Sequence, residues 1–223
     1  MADKVRIKEV FTSIQGEGKF IGYKQLFIRF CGCNLSCNYC DTDFRTVNSD
    51  EYTLEGLINV VKRHAECHSV SLTGGEPLLN AGFLKEFLPQ CPLPVYLETN
   101  ATLAGELGEI IDYVDYIAAD IKLSSCTGGN DLFSEHDRFL AVASSKDLFA
   151  KIVFDENITD DEIINCVKLG AKYNIELILQ PKMTVDAKIA VDIDFAENVL
   201  EKFLKKYKKV RLIPQVHKFM NVK

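Results

Sequence analysis

Short apolar runs rich in β-branched residues recur along the chain at residues 26–30, 70–72, 94–97, 116–121, 150–154, 175–179 and 210–213. Between several of them the apolar residues fall three and four apart, as in Leu54-Leu57-Ile58-Val61, Ile163-Ile164-Val167 and Phe195-Val199-Leu200-Phe203, which is the spacing of an amphipathic helix. Thr53 ahead of Glu55, and Thr159 ahead of Asp160, Asp161 and Glu162, supply cap-like starts with acids in the first turn. Strands alternating with helices imply parallel pairing, because parallel neighbours need a crossover connection. Six or seven strands are too few to close an eight-stranded barrel. The expected class is therefore α/β, a partial, open parallel β/α barrel with about six core strands. No repeat, low-complexity tract or linker interrupts the pattern, so residues 1–223 are expected to form one domain.

Composition narrows the function. Hydrophobic residues make up 47% and charged residues 26%, a soluble globular balance. Thirty-two acids against 26 bases leave a net charge of −6, which argues against a protein that grips nucleic acid, since phosphate contacts need a basic surface. The Lys205-Lys206-Tyr207-Lys208-Lys209 run reads as a solvated helix end. No apolar run reaches the roughly 20 residues that span a bilayer. The start, Met1-Ala2-Asp3-Lys4-Val5-Arg6, reads as neither a signal nor a transit peptide. A cytoplasmic location is the expectation.

In parallel α/β folds, ligands gather beyond the carboxyl ends of the strands. That rim carries Thr73-Gly74-Gly75-Glu76-Pro77, Glu98-Thr99-Asn100, Asp120-Ile121-Lys122 and Gln180-Pro181. It also carries four of the eight cysteines, Cys31, Cys33, Cys37 and Cys40, whereas Cys67, Cys91, Cys126 and Cys166 are scattered and read as core residues. Cys33, Cys37 and Cys40 have a Cys-x3-Cys-x2-Cys spacing. Three thiolates on one tight loop can cap three irons of a cubane cluster and leave the fourth iron open to a small chelator. The alternative is a zinc site with Cys31 as fourth ligand, although zinc sites usually pair two knuckles across a longer span.

The three cysteines, the aromatic Tyr39 before the last of them, and Gly74-Gly75-Glu76-Pro77 one strand later resemble the radical S-adenosylmethionine (SAM) superfamily. The resemblance implies a partial barrel of the radical SAM type, and a 4Fe–4S cluster on Cys33, Cys37 and Cys40 that cleaves SAM to a 5′-deoxyadenosyl radical. A finer resemblance, to the 7-carboxy-7-deazaguanine synthase family, covers most of the chain. It is carried by Ser13-Ile14-Gln15-Gly16-Glu17-Gly18, Arg29-Phe30-Cys31-Gly32-Cys33, Cys40-Asp41-Thr42-Asp43-Phe44, Asp120-Ile121-Lys122-Leu123-Ser124-Ser125 and Pro214-Gln215-Val216-His217-Lys218-Phe219-Met220. The family contracts the ring of 6-carboxy-5,6,7,8-tetrahydropterin with release of ammonia, in queuosine and 7-deazapurine biosynthesis.

Residue by residue, the resemblance implies that Ile14, Gln15, Gly16 and Glu17 hold the pterin ring, that Arg29 takes the substrate carboxylate, and that Thr73, His217 and the end of the chain at Lys223 also touch substrate. Tyr39, Asp41, Gly74, Gly75, Glu76, Lys122, Leu123 and Ser124 are the residues expected at SAM, and Thr42 is the expected Mg²⁺ ligand. It further implies a homodimer and an electron donor such as flavodoxin or ferredoxin. Plainer readings stand beside these: Glu17 as a solvated loop acid, Arg29 in a strand-edge ion pair, Thr42 and Asp41 as turn residues, and His217 on the surface. His64 and His68, at a helix end, read as structural, and His136 receives no role. Two other functions stay open, a glycyl-radical-enzyme activase with a protein substrate and a zinc-stabilised binding module.

Overall fold

The computed structural model describes residues 4–184 and 186–223. Nine strands form one sheet in the order β3-β1-β2-β4-β5-β6-β7-β8-β9. They are β1 (Lys4–Ile14), β2 (Lys24–Phe30), β3 (Asp50–Thr53), β4 (Ser69–Gly74), β5 (Val95–Thr99), β6 (Tyr116–Ile121), β7 (Asp147–Phe154), β8 (Glu176–Pro181) and β9 (Val210–Leu212). From β2 through β9 every neighbouring pair is parallel. All seven apolar runs become these parallel strands. The helices are α1 (Leu54–Lys62), α2 (Ala81–Phe87), α3 (Ala104–Ile110), α4 (Ser124–Thr127), α5 (Phe133–Ala143), α6 (Asp160–Tyr173), α7 (Ile193–Leu204) and α8 (Val216–Met220). Both sequence caps form: Thr53 accepts from Gly56 N at 3.1 Å, and Thr159 and Glu162 close a reciprocal capping box on α6.

Two strands extend the sheet beyond the expected set. β1 runs antiparallel to β2 and to β3, and its register shifts between Ile7 and Glu9. That shift breaks the period-2 alternation of its apolar residues, which hides the strand in the sequence.

Strand alternation sorts the side chains into two layers. One face packs against the helices as the main apolar core and includes Leu26, Ile28, Leu72, Leu97, Ile117 and Ile152. The other face curls inward. Its base is a small aromatic cluster in which Phe20, on the 3₁₀ turn Gly18–Phe20, packs on Tyr96 with ring centroids 5.3 Å apart. One residue pair further along the strands, the inner face turns polar with Thr73, Glu98, Asp120, Lys151 and Gln180. These five residues, with Arg29 of β2, line one cavity of about 940 Å³. A single cavity bordered from β2 to β8 requires a strongly curved sheet. Its edges, β3 and β9, do not pair, so the barrel is open.

Cys67, Cys126 and Cys166 are buried as core residues and Cys91 is half-buried. His68 is not at a helix end; its ring packs at a tilt on Tyr23, centroids 4.1 Å apart, beside Phe20. No described helix is long and apolar enough to cross a membrane.

Candidate active site

The carboxyl ends of the strands and the loops after them enclose the cavity. On one wall stand Cys33, Cys37 and Cys40, from the loop that follows β2. Burial pushes the Cys33 and Cys37 thiols above their ordinary pKa, and bound iron would reverse that by deprotonating them. Cys31 takes no part. It is buried, its Sγ faces the Arg45 carbonyl at 3.8 Å, and it does not border the cavity. Among the described residues no three His, Cys, Asp or Glu side chains converge as a single metal ion requires. Three cysteines on one loop at the cavity wall, Cys33, Cys37 and Cys40, are the donors that could hold an iron–sulfur cluster. They do not fit the four-cysteine zinc site.

The loop after β4 laces onto the cysteine loop. Gly75 N donates to Phe30 O at 3.2 Å, and Glu76 N donates to Gly32 O at 2.8 Å. A Cβ on Gly75 would strike the Gly32 carbonyl, and one on Gly74, whose φ is 126°, would strike the Phe30 backbone. The double glycine is thus required first by close backbone approach within the protein. Glu76 does not face the cavity. Its carboxylate is fully buried and accepts from Leu78 N (3.0 Å), Thr99 Oγ1 (2.9 Å) and Asn100 N (2.8 Å). Burial pushes its carboxyl up to about 7 despite those donors. It fixes Asn100, whose Nδ2 lies 3.9 Å from Cys33 Sγ.

The opposite wall is the loop after β1. Gln15 is buried and fully engaged within the protein. Its Nε2 donates to Gln25 Oε1 (3.0 Å) and Glu98 Oε1 (2.8 Å), while its Oε1 accepts from Glu17 N (2.9 Å). Its main-chain N and O bond Tyr23 O and Gly22 N. Gln15 therefore shapes the loop while still bordering the cavity. Glu17 does face the cavity. Burial would raise its pKa, but the Lys151 ammonium at 2.5 Å and the Gln215 Nε2 donor at 2.6 Å outweigh that and hold it at about 2. Across the cavity Arg29 Nε donates to Glu9 Oε1 at 2.7 Å, while its Nη1 lies 3.5 Å from Thr42 Oγ1. Its terminal nitrogens keep donors for a ligand.

Lys122 borders the cysteine side. Its ammonium lies 3.0 Å from Asp120 Oδ2 and 3.4 Å from Tyr39 Oη, and 5.5 Å from the Tyr39 ring centroid. His136, fully buried behind it, accepts from Lys122 N through Nε2 (3.0 Å) and donates to Ala101 O through Nδ1 (3.0 Å), a neutral tautomer fixed by its two partners. The chain's last segment straps the mouth. Val216 N donates to Gly16 O at 2.8 Å, Lys218 Nζ lies 2.8 Å from Asp41 Oδ2, and Ser13 Oγ donates to Lys223 O at 2.6 Å. A Cβ on Gly16 would collide with His217, so this loop and α8 touch backbone to side chain.

The radical SAM superfamily profile matches residues 27–179. The 7-carboxy-7-deazaguanine synthase of Geobacter sulfurreducens is 38% identical over 240 aligned residues, covering 96% of each chain. The enzyme of the same name from Archaeoglobus fulgidus is 34% identical, covering 99% of this chain and 100% of its own. This chain belongs to the 7-carboxy-7-deazaguanine synthase family. The crystal structure of QueE from Escherichia coli shares the fold with a TM-score of 0.67 at 22% identity, covering 96% of this chain and 95% of that one. A radical SAM methyltransferase from Sphaerobacter thermophilus shares it at 0.58 and 10% identity, covering 92% and 77%.

Membership removes the activase and the zinc module as readings. Most residues that the family resemblance picked out border the one cavity: Ile14, Gly16, Glu17, Arg29, Thr73, His217 and Lys223 on the substrate side, and Tyr39, Asp41, Thr42, Gly74, Gly75 and Lys122 towards the cysteines. Gln15 borders the cavity as well, and Glu76 is the correction already described. Leu123 and Ser124 are two more: Leu123 is fully buried, and Ser124 Oγ is drawn 3.2 Å to Glu162 of α6, away from the cavity. Residues missed in the sequence are Lys151, Glu9 and the pairing role of Glu98, which accepts from Thr73 Oγ1 at 2.9 Å. Lys151 had a signal, a lone cation inside an apolar strand run, where parallel strands are nearly all hydrophobic.

Proposed function

We propose that the chain contracts the ring of 6-carboxy-5,6,7,8-tetrahydropterin to give 7-carboxy-7-deazaguanine and ammonia. The observation that carries this reading is the division of one cavity, with a cationic fork at Arg29, carboxylates at Glu17 and Glu98, and three cysteines on the facing wall. A carboxylated pterin has matching parts. Its carboxylate suits the free nitrogens of Arg29, which allow a two-point contact. Its ring amide, amine and amino N–H groups suit carboxylate acceptors.

Cys33, Cys37 and Cys40 would hold the 4Fe–4S cluster, and Lys122 with Tyr39 and the Gly74-Gly75 backbone would border SAM. The chemistry supplied by cluster and SAM, when bound, would be a one-electron cleavage giving a radical that takes the hydrogen at C6 of the substrate and returns a hydrogen after ring contraction, so that the pterin becomes the deazapurine and ammonia with no net oxidation. The protein's own contribution is placement. Arg29 fixes the carboxylate end, Glu17 and Glu98 fix the far ring edge, and the strap through α8 closes the mouth. A misplacement of about 1 Å can cost on the order of 100-fold in rate.

Magnesium belongs to the same proposal, with Thr42 as its protein ligand. The neighbouring carboxylates are engaged, Asp41 by Lys218 and Asp43 by Lys8 and Arg45. A hydroxyl alone is a poor Mg²⁺ site, so substrate oxygens and waters would complete the shell. A flavodoxin- or ferredoxin-type donor, a homodimer and a cytoplasmic location complete the reading. Anaerobic incubation of the cluster-loaded protein with SAM, a reductant and the pterin, with and without magnesium, tests it. Ammonia and the deazapurine should form, and faster with magnesium.

A further inference from the structure

Lys151 lies in the middle of β7, with Phe149, Ala150, Ile152 and Phe154 around it, and is only 5% exposed. It stands on the inner face, in register beside Asp120 of β6. Its ammonium meets two carboxylates, Glu17 Oε2 at 2.5 Å and Asp120 Oδ1 at 3.1 Å. Asp120 Oδ2 in turn takes Lys122 at 3.0 Å. On the other side, Glu17 Oε1 accepts from Gln215 at 2.6 Å. A ladder of alternating charge thus runs beneath the cavity, from the strap by Gln215 and Glu17, through Lys151, to Asp120 and Lys122 beside the cysteine loop.

Stability alone does not explain this ladder. Desolvating an ammonium and two carboxylates is costly, and a hydrophobic set of similar volume is often no less stable. Glu17 lies in a loop, between β1 and the turn that carries Phe20, so its own backbone does little to orient the carboxylate. A carboxylate has about four acceptor sites. Lys151 and Gln215 use two of them, leaving the others for a ligand that presents N–H donors.

We propose that Lys151 is a positioning residue: clamped between Glu17 and Asp120, it sets the Glu17 carboxylate in the orientation that receives the N–H edge of the pterin ring. The proposal rests on the ring-contraction reading of this cavity and names a residue through which Glu17 acts.

A double-mutant cycle on the cluster-loaded protein tests it, reading pterin affinity by anaerobic calorimetry with SAM present and no reductant. Lys151→Met should weaken pterin binding about tenfold, as should Glu17→Gln, and the two together should be no worse than Glu17→Gln alone within about twofold. Iron content should match wild type in all three. Unchanged pterin affinity in Lys151→Met overturns the proposal, and so does a further tenfold loss on adding it to Glu17→Gln. Should Lys151→Met alone not fold, the comparison of Glu17→Gln with the double variant still decides, because there the cation leaves together with the carboxylate it neutralises. Failure of wild type to bind or turn over the pterin overturns the ring-contraction reading instead, which separates the two claims.

Discussion

Cys31 and Cys33 are two residues apart, yet one is a core thiol and the other a cavity thiol: Cys31, just past the end of β2, is buried, and Gly32, at φ 83°, turns the chain before Cys33 reaches the cavity. Spacing alone had left Cys31 open as a ligand. Residue type proved a good guide where a side chain had no internal partner and a poor one where it had several. Arg29 and Glu17 keep free capacity towards the cavity, whereas Glu76 spends its own on the fold, and nothing local in the sequence distinguishes the two cases. Replacing Arg29 with alanine should lower pterin turnover by about 100-fold, with iron content and pterin-free SAM cleavage retained. Turnover at the wild-type rate would remove Arg29 from the site.

His136 gives a prediction of opposite kind. Burial, which penalises the cation, lowers its pKa from 6.5 to about 4. The fold therefore holds the neutral form, while the unfolded chain takes up a proton below about 6.5. The stability tied to this residue is fully present above pH 6.5 and is lost as pH falls towards 4, a loss of about 3 kcal/mol in all. In a His136→Gln variant, Tm should be lower than wild type at pH 7.5, and the gap should narrow at pH 5. A constant gap would show that His136 is not held neutral.

At the scale of elements, the parallel strands and the capped helices α1 and α6 were legible because their signals are local: apolar runs, 3.6-residue spacing, and Thr caps ahead of acids. β1 and β3 were not, since an antiparallel pair with a shifted register at the sheet edge lacks a clean alternation. Gly74 and Gly75, expected at SAM from the resemblance, first make room for the cysteine loop. Gly75→Ala should consequently disturb two loops at once. It should destabilise the protein by about 1–3 kcal/mol, the range for overpacking, and reduce iron uptake on reconstitution. Normal Tm and full iron uptake would contradict this close approach.

At the scale of the whole molecule, the cavity joins segments remote in sequence. Ser13 bonds Lys223, and Glu17 bonds both Lys151 and Gln215. No periodicity could have paired them, although Lys151 was visible as a charge in an apolar run. Because the strap through α8 bears on the substrate loop and on Asp41, removing residues 216–223 should weaken pterin binding at least about tenfold while leaving the three cysteines able to take up iron. Equal affinity would mean that the strap does not border the bound substrate.

The central claim is that one cavity joins a three-cysteine cluster to a carboxylated-pterin site. Its most direct test is isotope transfer under anaerobic turnover, with the pterin deuterated at C6 and the recovered SAM, any 5′-deoxyadenosine and the deazapurine analysed by mass spectrometry. Deuterium leaving C6 only when SAM, reductant and the intact cysteine trio are all present, with ammonia formed in step with 7-carboxy-7-deazaguanine, is the predicted result. A cluster-loaded protein that cleaves SAM yet leaves the C6 deuterium in place and forms no deazapurine would contradict it.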